Sequence, residues 1–208
     1  MQIAIVLYPN FTALDAVGPY ETLGHIPGAE TSFVAERTGP VLNDRGQLAI
    51  EATRTFAEVP RPDIVVVPGG PGQADQMDNR PLLDWLRAVD ATTTWTTSVC
   101  SGSLALAAAG LLKGRRATSH WLALETLAGL GVAATGERVV FDGKYVTAAG
   151  VSSGIDMGLA LAGRIAGDQV AQTIQLMTEY DPQPPYDAGS PDKAPAEVVE
   201  YCRTRSRF

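Results

Sequence analysis

In "TTSVCSGSLALAAAGLL" (Thr96–Leu112) a cysteine ends a short β-branched run and opens a stretch of alanine, leucine and glycine. Only one other cysteine, Cys202, occurs in the 208 residues. A strand that turns into a helix with no spare residues forces the turning residue into a strained backbone conformation. Small neighbours then avoid a clash, and Ser101, Gly102 and Ser103 are all small. At such an elbow Cys100 is expected at the positive end of a helix, among unpaired N–H groups that favour thiolate over thiol. A solvent-reachable thiolate with a depressed pKa is a nucleophile that needs no dedicated base. The competing reading is a core cysteine acting as a small hydrophobe.

Two further stretches carry chemistry. "VVVPGGPG" (Val65–Gly72) brings bare backbone to the end of a strand, and the Gly69 and Gly70 N–H groups can donate to a developing negative charge. The same glycines also suit an ordinary tight turn. "ALDAVGPYE" (Ala13–Glu21) sets Asp15 in an otherwise apolar helical stretch, where a carboxylate is costly without a partner. Burial raises a carboxyl pKa, so Asp15 near a thiol could hold a proton; local backbone capping is the alternative. His120, in "ATSHW", is one of two histidines and reads as structural or pocket-lining. Cys202 is assigned no role.

The elements that must position these residues follow from periodicity. Gln2–Tyr8 is a nearly continuous apolar run, as in a strand buried on both faces of a parallel sheet. Thr12 caps a helix running to about His25, with Leu14, Val17 and Leu23 inward. Further strands are expected at Thr31–Glu36, from Asp63 into the glycine turn, and at Thr94–Val99, with a helix over Pro81–Val89. "RVVFDGKYVTAAG" reads as a hairpin turning at Asp142-Gly143 in type I′ geometry. "SGIDMGLALAGRIAG" and "DQVAQTIQLMTEY" read as helices, and Asp181–Pro195 as irregular surface chain. Alternating β and α elements imply one α/β domain over residues 1–208, doubly wound, with helices on both faces of a mostly parallel sheet.

Composition excludes several classes. A net charge of −7 opposes nucleic acid or an anionic membrane as a main partner. Two cysteines make no disulfide scaffold, and no Cys/His spacing suits zinc. "MQIAIVLYPNF" lacks a basic n-region and a cleavage site, and no segment reaches the roughly 18 apolar residues of a membrane span. The expected location is cytoplasmic, with reduced thiols.

Taken in order, these pieces resemble the ThiJ/PfpI superfamily, and within it the isonitrile hydratase branch. The resemblance covers almost the whole chain through "LDAVGPYE", "VVPGGPG", "TSVCSGSLALAAAGLLKGRRATSHW", "GIDMGLALA" and "EYDPQPPYDAGSPDKAP". It implies a flavodoxin-like fold related to class I glutamine amidotransferase domains. Many relatives carry histidine directly after the nucleophile; here Ser101 stands there, which points away from peptide hydrolysis. The implied reaction is addition of water to R–N≡C to give an N-substituted formamide. Cys100 would attack carbon to form a thioimidate, and Asp15 would deliver a proton to nitrogen. Gly70 N–H and the Ser101 hydroxyl are the implied pocket donors, with Val151 packing opposite and His120 and Trp121 at the pocket. Tyr180 and Tyr186 are further expected contributors to its shape. No metal or organic cofactor is required, the substrate is a small-molecule isonitrile, and a homodimer is implied by the resemblance alone.

Two other readings stay open. The same domain occurs at the N-terminus of AraC-type regulators, so the chain could be a non-catalytic ligand or oxidation sensor. It could also be a glyoxalase-like hydratase or small amidase, although such relatives usually pair cysteine with glutamate and histidine.

Overall fold

The computed structural model describes residues 1–205. β1 (Gln2–Val6) leads through α1 (Ala13–Leu23) to β2 (Glu30–Ala35); a side hairpin follows, β3 (Gly39–Leu42) and β4 (Ala49–Ala52), then the short β5 (Arg54–Thr55). After β6 (Ile64–Val67) come α2 (Gln73–Gln76) and α3 (Arg80–Asp90), and after β7 (Trp95–Val99) comes α4 (Gly102–Ala108). β8 (Arg116–Ala117), α5 (Leu124–Gly129) and β9 (Ala133–Ala134) make a small excursion before β10 (Val139–Asp142) and β11 (Tyr145–Ala148). Then follow α6 (Ser153–Ala166), α7 (Asp168–Met177) and α8 (Ala196–Thr204).

The main sheet has seven strands in the order β10-β11-β7-β6-β1-β2-β5. All pairings are parallel except that of β10 with β11. Leaving out β5, the parallel strands run β2-β1-β6-β7-β11, the order of the flavodoxin-like fold that the resemblance implies. The chain winds one way from β1 to β2 and the other way from β6 to β7. Right-handed crossovers therefore send α1 to one face and α3 to the other. Accordingly α6 packs on α1 and α7, while α4 packs with α3 and α5. β1 and β6 are buried because helices cover both faces, which is why their sequences lack alternation. The switch of direction falls between β1 and β6, and their carboxyl ends deliver the Asp15 helix and the Gly69-Gly70 turn to one crevice.

Several local expectations need correction. Thr12 does occupy the N-cap position of α1, but its hydroxyl makes no cap bond and donates instead to Asp44 Oδ2 at 3.2 Å. Leu14 is exposed rather than inward, because that turn of α1 faces the crevice mouth and not the sheet. The hairpin turn sits one residue later than expected: Asp142 pairs with Tyr145, leaving Gly143-Lys144 as the turn. Gly143 alone takes positive φ (60°), which matches type II′ and not I′. The Asp142 carboxylate is occupied elsewhere, accepting from the Arg116 N–H at 2.7 Å. Asp181–Pro195 is irregular and largely exposed, as expected. Among the described residues no helix is long and apolar enough to cross a membrane.

Close approach of the β6 turn and the start of α4 depends on Gly102. A Cβ there would overlap the carbonyl oxygens of Val67 and Pro68. Backbone cannot yield as a flexible side chain does, so Gly102→Ala is expected to cost about 1–3 kcal/mol, an overpacking penalty read as a lowered midpoint in urea or thermal unfolding.

Candidate active site

Cys100 turns the chain from β7 into α4 with φ of 58°, a left-handed value that few non-glycine residues adopt. Neighbouring groups hold this strained residue on both sides. Its N–H donates to Ala148 O (3.1 Å) and Ala149 O (2.8 Å) at the end of β11. Its carbonyl accepts from the hydroxyls of Ser119 (3.0 Å) and Ser103 (3.5 Å). The small residues after the cysteine let the elbow nest against the glycine turn: a Cβ on Gly69 would lie 2.5 Å from Ser101 N and 3.0 Å from Asp15 Oδ2.

Asp15 enters from the first turn of α1 and is fully buried. Its Oδ2 accepts the Gly69 N–H at 2.9 Å, whereas Oδ1 has no hydrogen-bond partner among the described residues. The same carboxyl interacts with the Cys100 side chain. Burial pushes the Asp15 pKa up to about 7; the Gly69 N–H and Cys100 pull it down, and the Asp44 charge adds a further push upward. Cys100 is pushed well above the ordinary thiol value, first by burial and then by the Asp15 charge, with the Ser101 N–H and hydroxyl acting in the opposite sense. This overturns the expectation of a solvent-reachable, depressed thiol. Helix-end stabilisation exists, through Ser101 N–H, but desolvation and a neighbouring carboxyl exceed it. The two groups are coupled: charge on either one raises the hold of the other on its proton.

A cavity of about 360 Å³ opens beside the elbow. Cys100, His120 and Val151 line it, as the sequence suggested. Gly70, Ser101 and Trp121 do not. The Gly70 N–H is spent on Ser101 Oγ at 3.1 Å, and Ser101 is buried behind the elbow. The Trp121 ring lies tilted beside that of His120, ring centroids 6.0 Å apart, outside the cavity wall. Tyr180 donates to Asp156 Oδ2 at 3.2 Å and Tyr186 is exposed; neither lines the cavity. His120 Nδ1 accepts the Leu122 N–H at 3.3 Å, so the neutral ring carries its proton on Nε2. Burial lowers its pKa to about 4, which keeps it neutral at pH 7.

Sequence reasoning missed two contributors. Thr12, Asn43, Asp44 and Arg45 form much of the remaining wall. The last three are the turn between β3 and β4, and "NDRG" (Asn43–Gly46) between two apolar runs is a readable turn signal, though not one that reveals where the turn docks. Tyr8 is the other: its buried hydroxyl donates to Pro68 O at 2.6 Å, and burial together with Asp15 and Cys100 raises its pKa. Among the described residues no three His, Cys, Asp or Glu side chains converge to hold a metal ion.

A doubly wound sheet with a cysteine at positive φ after a central strand, faced by a glycine turn and a buried carboxyl, defines the cysteine-elbow class of α/β proteins. The chain belongs to the DJ-1/PfpI family, whose match covers residues 1–164. It is similar to the isonitrile hydratase of Pseudomonas putida, with 42% identity over 206 residues, 99% of this chain and 90% of that one. The crystal structure of a ThiJ/PfpI family protein from Pseudomonas syringae superposes with a TM-score of 0.95 at 42% identity, covering 98% of this chain and 85% of the other. Similarity also extends to the HTH-type transcriptional regulator CdhR of Pseudomonas aeruginosa, 29% identical over 184 residues, which are 84% of this chain and 53% of the regulator.

Because the folded Asp15 pKa is raised, its stabilising contribution is full below about 4 and is lost as pH rises toward about 7. Asp15→Asn removes that titration. Its stability relative to the parent should therefore increase by about 2–3 kcal/mol between pH 5 and pH 8, measured by urea unfolding at each pH. Buried Cys100 should also react with iodoacetamide well after exposed Cys202, as peptide mass mapping would record.

Proposed function

We propose that the chain hydrates isonitriles, R–N≡C, to N-substituted formamides through a covalent bond to Cys100. The observation that carries this reading is the buried Asp15–Cys100 pair, on a chain 42% identical over 99% of its length to an isonitrile hydratase. A pair that shares one proton can place its charge on sulfur while Asp15 keeps the proton, and the Ser101 N–H and hydroxyl favour the charge there. The thiolate attacks the isonitrile carbon. Electron counting sends the Asp15 proton to that same carbon, not to nitrogen, because the carbon lone pair is the basic site once the C–S bond forms. The product is R–N=CH–S–Cys100, with Asp15 now a carboxylate. Water adds to this carbon while nitrogen gains a proton. The new hydroxyl then gives its proton to Asp15 as the C–S bond breaks, releasing R–NH–CHO and restoring the pair. Atoms balance with isonitrile and water alone.

His120 supports the reading as a neutral, cavity-lining ring that carries its proton on Nε2 and is a poor acceptor of protons. A second reading, a ligand sensor, draws on the similarity to CdhR, of which the chain spans about half. Binding of an isonitrile with no formamide released by the parent chain would favour it.

The test is formamide production from a simple alkyl isonitrile. Cys100→Ala should fall to the uncatalysed rate, and Asp15→Asn should lose about 10²–10⁴-fold. The reactive form carries one negative charge, so kcat/KM should rise with pH through about 7 and then level, since Cys100 holds the last proton far above. A parent rate that falls across the same interval would sink the assignment.

A further inference from the structure

Hydrolysis of a thioimidate needs a group that takes a proton from the attacking water, and Asp15 already serves the proton that follows the C–S bond. Asp15 is fully buried behind the elbow, gives its proton to carbon as the C–S bond forms and takes one back as that bond breaks, whereas the water that adds between those two events comes from the cavity. Among the described residues, four side chains that line the cavity can carry charge: Cys100, His120, Arg45 and Asp44. Cys100 is the sulfur being displaced. Arg45 has no acceptor. His120 uses Nδ1 to accept the Leu122 N–H and carries its proton on Nε2, so it enters as a donor. Among the described residues Asp44 is the one carboxylate in the wall.

Its position is built rather than incidental. Asp44 N–H donates to Phe11 O at 2.9 Å, and Asn10 N–H to Leu42 O at 3.0 Å, so the β3–β4 turn is stitched to the segment after β1. The carboxylate is held from two sides, by the Thr12 hydroxyl on Oδ2 at 3.2 Å and by Asn43 Nδ2 on Oδ1 at 3.4 Å. Asn43 is buried and fixed in turn by the Leu48 N–H on its Oδ1 at 3.2 Å. Thr12 N–H donates to Gly69 O at 2.8 Å, tying this arrangement to the glycine turn beside Asp15 and the elbow.

From this arrangement we infer that Asp44 is the general base for the second half of the reaction, positioning the water that attacks the thioimidate. The inference rests on the isonitrile-hydrating reading. Asp44 takes one proton from water as the O–C bond forms, and the C=N electron pair moves to nitrogen. The proton then passes from Asp44 to that nitrogen, giving R–NH–CH(OH)–S–Cys100 and returning Asp44 to its carboxylate. Asp44 takes no proton as the C–S bond forms and touches that step only through its charge on Asp15. A carboxylate that acts only after the adduct exists separates the two half-reactions kinetically.

Rapid mixing with an alkyl isonitrile, quenching in acid and intact-mass measurement follow the adduct directly, since it adds the full mass of one isonitrile. Asp44→Asn should form adduct within about twofold of the parent rate and clear it about 10²-fold more slowly, so that the adduct accumulates. Hydroxylamine, a nucleophile that needs no base, should restore clearance in that variant. Asp44→Glu keeps the charge but moves it by one methylene; it should clear at an intermediate rate and serves as the readout if Asp44→Asn does not fold. Clearance at the parent rate in the folded variants overturns the inference, as does an equal slowing of formation and clearance. A parent chain that gives neither adduct nor formamide overturns the underlying reading instead, and is recognised without any Asp44 variant.

Discussion

A carboxyl and a thiol are buried against each other at the carboxyl ends of the central strands, and water reaches neither freely. Removing a carboxylate from water without full compensation is expensive, and proteins respond by holding it protonated. Moving the Asp15 pKa from 3.8 to about 7 corresponds to about 4 kcal/mol withheld from stability once the group ionises. Oδ1 adds to that cost, being buried with no hydrogen-bond partner among the described residues. Such an acid is poorly suited to a purely structural role. It is suited to keeping a proton close to a sulfur and releasing it when charge moves.

The surrounding fold supplies what this pair lacks in stability. Cys100 is held at positive φ by hydrogen bonds to both its N–H and its carbonyl, so strain at the elbow is distributed over β11, α4 and the Ser119 segment. Asp15 is fixed by α1, which meets α6 so closely that a Cβ on Gly158 would overlap the Thr22 hydroxyl. Gly69 contributes its N–H to the carboxylate and its lack of a side chain to the space between Asp15 and Ser101. Apart from the Ser103 hydroxyl on the Cys100 carbonyl, these contacts join segments far apart in the chain, and each limits how far the two reactive groups can drift.

Charge around the cavity is equally a tertiary product. The β3–β4 hairpin lies outside the main sheet, yet its turn brings Asp44 and Arg45 to the wall and raises the Asp15 pKa further. His120 arrives from the segment before α5, neutralised by burial. The cavity therefore combines one negative, one positive and one neutral donor side chain around the elbow, contributed by separate loops.

The sequence alone sufficed for the order of the main strands and helices, because apolar periodicity and turn residues are local properties of the chain. It also sufficed for the elbow, since "CSGS" between a β-branched run and an alanine-rich helix leaves few other backbone paths, and for Asp15, which stands out as a charge in an apolar stretch. Tertiary structure decided the ionisation of Cys100, the diversion of the Gly70 N–H to Ser101, the exposure of Leu14, and the arrival of Asp44 and Arg45 at the wall. Backbone conformation is dictated mainly by near neighbours, whereas desolvation and electric field at a site are sums over segments that meet only when the chain has folded. No reading of spacing can perform that sum in advance.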